Sequence, residues 1–273
     1  MNYRHAFHAG NHADCLKHAL LLALLRGLAR KPAAFAVLDA HAGRGTYDMA
    51  APEALRTGEV ARGAARLQPV PALAEYLALV ADAGFPVHYP GSPALIRAVM
   101  RPQDRMVCCE LHPEDHAALR RLFARDAQVA VHKRDGWEAL GALLPFPEKR
   151  GLVLLDPPFE REGEFERMVA GISLINRRMR GAVIAAWYPI KHRAPVRAFH
   201  HALHESGVRD ILDCALTLRE PTDPQRLNGS GLIVVNPPFG FELEAAGILG
   251  ALIAALGYGE PGEGVDVTRL VEE

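Results

Sequence analysis

The 273-residue sequence has little cysteine, no long apolar segment and almost no net charge. Its four cysteines, Cys15, Cys108, Cys109 and Cys214, form no C-x-x-C pair. This pattern argues against a disulfide framework or a zinc site and favours a reducing compartment. The longest apolar stretch near the start, 19–25, is too short to span a bilayer. These absences predict a soluble, cytoplasmic protein without membrane or metal partners.

The charge balance bears on the choice of partner. A formal net charge of -1 gives no overall basic surface of the kind that phosphate binding usually needs, so the total argues mildly against nucleic acid. A neutral total still permits a local basic face. The composition, 49% hydrophobic and 23% charged, is that of an ordinary globular protein. The length fits one large α/β domain better than two domains.

Short apolar runs alternate with helical patterns along the chain, which is typical of a βαβ sheet. Seven such runs are predicted to be strands, namely 35–39, 106–110, 129–133, 152–156, 182–187, 211–216 and 232–235. The gap of about 70 residues between the first two runs is too long for one crossover connection. We therefore predict a domain made of 1–51 and 102–273, with a helical insertion at 52–101.

The most informative segment is Asp156-Pro157-Pro158-Phe159, which follows the fourth predicted strand. Ligands of open α/β sheets bind beyond the carboxyl ends of the strands, so Asp156 faces that crevice. The Asp156 carboxylate and a proline-fixed Pro157 carbonyl each accept one hydrogen bond from an amino group, and Phe159 stacks on a planar base. Such acceptors orient and polarise a poorly nucleophilic amine.

A second Pro-Pro segment, Asn236-Pro237-Pro238-Phe239, follows the last predicted strand. If that strand runs antiparallel to the others, its carboxyl end points away from the crevice. We therefore interpret Asn236 as a structural turn. The choice of Asp156 over Asn236 depends on topology.

Polar residues also follow the first three predicted strands. The turn 39–45 contains Gly43, which lets the backbone approach a ligand closely, although the turn is an imperfect G-x-G-x-G. Glu110 is placed to accept hydrogen bonds from ribose hydroxyls, and Asp135-Gly136 to lie beside an adenine amino group. Each signal alone is equally well explained by an ordinary turn or a surface acid. Together with Asp156 they place functional groups after four successive strands.

The N-terminal stretch 3–12 interleaves aromatic and cationic residues, including Tyr3, Arg4 and His5. Such a segment suits the backbone and bases of a nucleic acid, and the alternative is a flexible tail. Asp14 is predicted to cap a helix over 15–30. Farther along, Trp187 is interpreted as a core residue at a turn, with a wall of the substrate pocket as the alternative.

Several of these segments occur together and in the same order in one known family. The chain resembles the ribosomal RNA large subunit methyltransferase J family, which methylates N6 of one adenine in bacterial 23S rRNA. The matching segments are 3–18 (YRHAFHAGNHADCLKH), 39–45, 89–93 (YPGSP), 110–113 (ELHP), 156–159 (DPPF), 186–189 (AWYP) and 229–238 (GSGLIVVNPP).

The resemblance implies a Rossmann-like class I methyltransferase fold: a mostly parallel seven-stranded sheet with an antiparallel last strand and a small helical insertion. It also implies S-adenosylmethionine contacts, at Lys17, His18, His41, Ser92, Glu110, Asp135 and Gly136. The strand-end positions of Gly43 and Asp156 add these two residues to the predicted cofactor site. Asp156 is then the catalytic residue, helped by Pro157, and Tyr3 touches the RNA. Phe159 stands where the family often has tyrosine, so stacking is kept and a hydroxyl is lost.

The resulting prediction is an enzyme that methylates N6 of an adenine in 23S rRNA as a monomer, with S-adenosylmethionine as the cofactor. One alternative is another methyl acceptor, either a DNA adenine or a protein glutamine. A nicotinamide oxidoreductase is less favoured, because G-x-G-x-x-G is absent and the D-P-P-F segment has no role in it. A non-catalytic RNA-binding module is disfavoured by the near-neutral charge.

Overall fold

The computed structural model describes residues 4–273. Within them, the chain forms one large sheet, a small two-stranded sheet and nine α-helices. The strands are β1 (Ala36–Asp39), β2 (Thr46–Asp48), β3 (His88–Pro90), β4 (Arg105–Cys109), β5 (Val129–His132), β6 (Gly151–Leu155), β7 (Val183–Ile190), β8 (Ile211–Thr217), β9 (Gly229–Val235) and β10 (Gly264–Val271). The helices are α1 (His12–Ala29), α2 (Pro52–Thr57), α3 (Ala74–Asp82), α4 (Ser92–Val99), α5 (Pro113–Leu122), α6 (Gly136–Leu143), α7 (Glu164–Arg178), α8 (Arg193–Glu205) and α9 (Phe241–Leu256).

The large sheet has the order β10-β8-β9-β7-β6-β1-β4-β5. Strands β5, β4, β1, β6 and β7 are parallel neighbours, whereas β9 is antiparallel to both β7 and β8. The predicted Rossmann-like methyltransferase class and the antiparallel strand near the end of the chain are confirmed. The predicted count of seven strands is wrong, because β10 adds an eighth at the edge, antiparallel to β8.

The missed strand has a physical explanation. The central strands β1, β6 and β9 are buried along their whole length, and this is what makes them continuous apolar runs in the sequence. Strand β10 has the sequence GVDVTRLV, and most of its residues are exposed or half-buried. An edge strand with one solvated side therefore carries a weaker apolar pattern than a central one.

Two apolar clusters fill the two faces of the sheet. One face is covered by α1, α4, α5 and α9, and the other by α6, α7 and α8. Helix α1 is buried along most of its length, and the described part of the chain contains no helix that is both long and apolar enough to cross a membrane. The N-cap of α1 is Asn11, whose side chain accepts a hydrogen bond from Asp14 N at 3.0 Å. The prediction that Asp14 caps a helix starting at Cys15 is therefore wrong.

Segment 52–101 contains α2, three short 3₁₀ turns, α3, β3 and α4. Helices α3 and α4 pack on α1, while β3 pairs with β2 in the small sheet. The division of the chain into a main domain and an insertion at 52–101 stays a prediction.

Candidate active site

The candidate active site is a cleft at the carboxyl ends of β1, β4, β5 and β6. Parallel strands bring the residues that follow them to one edge of the sheet, and α1 closes the cleft from one side. Eleven of the sequence-predicted residues line this cleft: His5, Lys17, His18, His41, Gly43, Ser92, Glu110, Asp135, Gly136, Asp156 and Pro157. Residues from about 150 positions of sequence are thus brought into one cavity.

The acid of the D-P-P-F segment is ion-paired inside this cleft. Lys17 Nζ lies 2.5 Å from Asp156 Oδ2 and 2.9 Å from Asp14 Oδ1, so one ammonium group bridges two carboxylates. Burial lowers the pKa of Lys17, but the charges of Asp14 and Asp156 outweigh it, and the net shift is upward. Lys17 therefore stays charged although its side chain is only 5% exposed.

Asp14 links the start of the chain to this pair. Its Oδ2 atom lies 2.9 Å from His5 Nε2 and accepts a hydrogen bond from Gly10 N at 2.9 Å. Burial raises the pKa of Asp14, but its interactions with His5, Lys17 and His18 act against this rise, and the net pKa is well below the ordinary value. The buried carboxylate is thus ionised and fixes both Lys17 and His5.

Two acids at the ends of neighbouring strands keep acceptor capacity facing the cleft. Glu110 accepts hydrogen bonds from Gly43 N at 2.9 Å and His112 N at 2.6 Å. Burial raises the pKa of Glu110, although these backbone donors oppose the rise. Asp135 caps α6 through Oδ1, which accepts from Trp137 N at 2.8 Å. A carboxylate oxygen accepts more than one hydrogen bond, so both groups can also accept hydrogen bonds from hydroxyl or amino groups of a ligand.

The turn after β1 is held in a defined shape. Asp156 N donates to His41 Nδ1 at 3.3 Å, and burial lowers the pKa of His41 to about 4, so its ring is neutral. A Cβ at position 136 would collide with Ala40 O and approach His41 Nε2 to 2.7 Å. Gly136 is therefore required for the close packing of the β5–α6 junction against this turn.

Asp39, at the end of β1, is buried beneath the cleft. Burial raises the pKa of Asp39 to about 7, although Ser92 Oγ donates a hydrogen bond to its Oδ2 atom at 2.7 Å. His18 also lines the cleft, and its Nδ1 atom is 2.9 Å from Tyr89 Oη. Burial lowers the pKa of His18 to about 3, and its Nε2 atom is buried without a hydrogen-bond partner in the described structure.

A second cleft adjoins the first and shares Pro158 and Trp187 with it. Phe159 lines this second cleft, with its ring centroid 5.0 Å from that of Phe165 and 5.8 Å from that of Trp187. Trp187 is half-buried, packs against the apolar core and lines both clefts, so it serves both as a core contact and as a wall of the clefts. The aromatic rings form a wall at the boundary between the two cavities.

The remaining predicted residues lie elsewhere. Arg4 forms ion pairs with Glu53 and Glu114 and does not line the first cleft. Tyr3, predicted to touch RNA, lies outside the described residues. Asn236 follows the antiparallel β9, and its side chain donates to Ala182 O at 2.7 Å, which confirms its interpretation as a structural turn.

The sequence interpretation missed the role of Asp14. Its spacing of three residues from Lys17 on one helix was available as a signal, because residues i and i+3 share a helix face. The cleft also contains Glu164 and Arg167, which come from α7. No strand-end pattern marks them, since they reach the cleft only through the packing of α7 on the sheet. Within residues 4–273, no group of histidine, cysteine or acidic side chains is arranged to hold a metal ion.

The fold and the strand-end site together define a methyltransferase of the Rossmann-like class. A family model described as ribosomal RNA large subunit methyltransferase D, RlmJ, matches residues 32–267. The chain therefore belongs to the ribosomal RNA large subunit methyltransferase J family, as its sequence motifs predict.

Individual relatives agree with this assignment. The chain is 38% identical over 256 residues to ribosomal RNA large subunit methyltransferase J of Escherichia coli, covering 91% of each chain. It is 36% identical to the protein of the same name from Haemophilus influenzae, covering 94% of each. A crystal structure of a Legionella pneumophila protein superposes with a TM-score of 0.88 at 31% identity, covering 96% of this chain and 98% of the other.

Proposed function

We propose that this chain uses S-adenosylmethionine to methylate the exocyclic N6 amine of an adenine in 23S ribosomal RNA. The observation that carries the proposal is the position of Asp156 and Pro157, which follow β6 and line the cleft at the carboxyl edge of the sheet. The names of the relatives, which refer to large-subunit ribosomal RNA, support the class of substrate.

The first cleft fits the proposed cofactor by the chemistry of its side chains. Glu110 offers acceptors to ribose hydroxyls, and Asp135 has an oxygen left for an adenine amino group. His18 Nε2 is a buried polar atom without a partner in the described structure, as expected where a ligand completes the hydrogen bonding. S-adenosylmethionine supplies an electrophilic methyl group when it is bound.

The chain's own contribution is to position and polarise the target amine. The N6 lone pair of adenine is delocalised into the ring and is a poor nucleophile. Asp156 and the Pro157 carbonyl each accept a hydrogen bond from one N6–H and thereby aim the lone pair at the methyl group. The amine becomes acidic as it gains the methyl group and releases a proton to water, so the site needs no strong base.

Lys17 leaves the catalytic acid partly available. Its ammonium group contacts Asp156 Oδ2, so Asp156 Oδ1 remains to accept from the substrate. The second bond of Lys17, to the buried Asp14, holds the ammonium group in place. The ion pair fixes the direction of the Asp156 carboxylate plane.

The aromatic wall suits the substrate base. Phe159 and Trp187 lie at the boundary between the two clefts, where an adenine that leaves its stack is flanked by planar rings. Tyr3, Arg4 and His5 are proposed to complete the RNA contacts from the N-terminal segment. We also propose that 52–101 is an insertion into the domain formed by 1–51 and 102–273.

Radiolabelled methyl transfer tests the acceptor. The purified protein is incubated with labelled S-adenosylmethionine in three separate reactions, which contain unmodified 23S rRNA, duplex DNA or a protein mixture as the methyl acceptor. We expect label in N6-methyladenosine of the rRNA only. Label in DNA or in glutamine instead would contradict the substrate assignment.

Asp156→Ala tests the site. The variant is expected to keep cofactor binding, measured by calorimetry, and to lose methylation. The same measurement on Arg180→Ala, at the opposite edge of the sheet, is the matched control. A variant at position 156 that is as active as the wild type would refute the catalytic assignment.

A further inference from the structure

The second cleft is lined by an excess of positively charged side chains, although the chain as a whole has almost no net charge. Its described lining includes four cationic side chains, Arg62, Lys191, Arg219 and Arg226, against one carboxylate, Glu59. The formal net charge of the chain is only -1. A local basic surface is therefore present on a protein whose total charge is near neutral, and such a surface attracts an anionic polymer.

The acidic side chain in this cleft is already occupied. Glu59 Oε1 lies 3.0 Å from His8 Nδ1, and Glu59 Oε2 accepts a hydrogen bond from Asn11 at 3.0 Å. The hydrogen bond with Glu59 raises the pKa of His8, although burial opposes the rise. Glu59 thus increases the positive character of His8 and forms no ion pair with the four arginine and lysine side chains in the described structure.

Three of the four cations, all except Arg62, come from loops at the carboxyl edge of the sheet. Lys191 follows β7 directly, and Arg226 lies in the loop between β8 and β9. Both side chains belong to exposed residues, and no ion pair is found for either in the described structure. Arg219, in contrast, is paired with Glu260 at 3.2 Å. Lys191 and Arg226 are therefore the side chains best placed to contact phosphates.

Two buried polar atoms in this cleft have no hydrogen-bond partner within residues 4–273. They are His12 Nε2 and Trp187 Nε1. Buried polar groups in folded proteins are almost always paired, and an unpaired one indicates a group that a ligand or water completes. Together with the ring of Phe159, these atoms offer stacking and hydrogen bonding to a nucleotide.

We infer that the second cleft binds single-stranded RNA next to the target adenine, with Lys191 and Arg226 on its phosphates and His12 and Trp187 on an adjacent nucleotide. This inference rests on the proposed function and adds the path of the RNA. Because the two clefts share Pro158 and Trp187, a strand in the second cleft delivers its next base to Asp156. The cleft for the cofactor and the cleft for the polymer are then separate.

The double variant Lys191→Gln/Arg226→Gln tests the inference by salt dependence. Each phosphate contact to a single strand contributes about 0.7 to the slope of log affinity against log salt. Filter binding of an unmodified 23S rRNA transcript is expected to give a slope lower by about 1.4 in the double variant, and an affinity about tenfold weaker at moderate salt. Cofactor affinity is expected to be unchanged.

The matched control removes the same charge from the opposite edge of the sheet. Arg177 and Arg180 are exposed residues that lie near Asn236, and Arg177→Gln/Arg180→Gln is expected to bind the transcript with the wild-type slope. An unchanged slope in the cleft variant, or an equal loss in both variants, would overturn the inference. If the wild type binds the transcript but does not methylate it, the proposed function fails while the binding site is upheld.

Discussion

The chain contains the same four-residue pattern twice, at opposite edges of one sheet, and the two copies do different things. Asp156-Pro157-Pro158-Phe159 follows the parallel strand β6, and its acid is paired with Lys17 in the cleft. Asn236-Pro237-Pro238-Phe239 follows the antiparallel β9. The Asn236 side chain donates hydrogen bonds to Arg180 O and Ala182 O, in the turn that precedes β7.

The two phenylalanines show the same contrast. Phe159 is half-buried and contacts Phe165 and Trp187, whereas Phe239 is 94% exposed. A positive φ occurs at Phe159 (51°), the last residue of the first copy, and at Asn236 (53°), the first residue of the second, so the two copies turn the chain at different positions. Strand direction decides which copy faces the ligand clefts.

The largest expected effect comes from exchanging the first residues of the two copies. Asp156→Asn is expected to lower kcat by about 1000-fold, about 4 kcal/mol in the barrier, since the oriented charged acceptor is lost. The exchange Asp156→Asn/Asn236→Asp restores an acid to the chain but not to the cleft, so it is expected to stay inactive. Single-turnover methylation of 23S rRNA measures both; recovery in the exchange variant would break the topological argument.

The buried ion pairs behind Asp156 give the next largest effect. Asp14→Asn leaves the buried Lys17 with one carboxylate instead of two, and we expect a loss of about 3 kcal/mol of unfolding free energy. Urea unfolding measures it. The control is Asp223→Asn, an exposed acid in the loop before β9, which is expected to change stability by less than about 0.5 kcal/mol. Equal losses would show that Asp14 has no special role.

Substitution of Phe159 and of Phe239 tests whether the two copies differ in substrate binding. Phe159→Ala is expected to raise KM for RNA about tenfold, because base stacking on an aromatic side chain contributes about 1–3 kcal/mol. Phe239→Ala is expected to leave KM and stability unchanged, since its ring is exposed. Steady-state methylation with varied RNA concentration distinguishes them. A similar KM change in both variants would mean that stacking at position 159 is not used.

The remaining effect is a dependence of stability on pH, which appears only below pH 6.5. Burial lowers the pKa of His41 from 6.5 to about 4, so the folded state binds a proton less readily than the unfolded chain. The contribution of neutral His41 is present above pH 6.5 and is lost as the pH falls towards about 4. In this range the wild type is expected to lose about 1.4 kcal/mol per pH unit more than His41→Gln.

Unfolding in urea at several pH values measures this difference. Asn236→Ala is the control at the other edge of the sheet, where the affected side chain does not titrate. Its stability is expected to differ from the wild type by the same amount at every pH. An identical pH slope in His41→Gln and the wild type would show that His41 is not held neutral.

Much of the fold was predictable from the apolar runs, because strands buried on both faces leave continuous apolar sequence. The runs at 106–110 and 152–156 lie within one or two residues of β4 and β6. Strand β10 was not predictable in the same way, since its polar side faces solvent. The small sheet formed by β2 and β3 was also missed, because its three-residue strands are too short to show a period.

The residues of the candidate site also fall into a group that the sequence predicts and a group that it does not. The strand-end positions of Glu110, Asp135 and Asp156 follow from the alternation of strands and helices, and the structure brings all three to one cleft. The contact between Lys17 and Asp156 was not predictable, because the two residues are 139 positions apart. The basic second cleft was hidden as well, since its cations are scattered among acidic residues along the chain.

The sequence by itself determined the class of fold and the residues available for chemistry, because burial and strand ends leave local patterns. It did not determine which Pro-Pro-Phe segment faces a ligand. That was decided by the antiparallel direction of β9, which depends on pairing between strands distant in the chain. Only the tertiary structure brought Lys17 to Asp156 and gathered cations into one cleft, because contacts between distant residues leave no local pattern in a sequence.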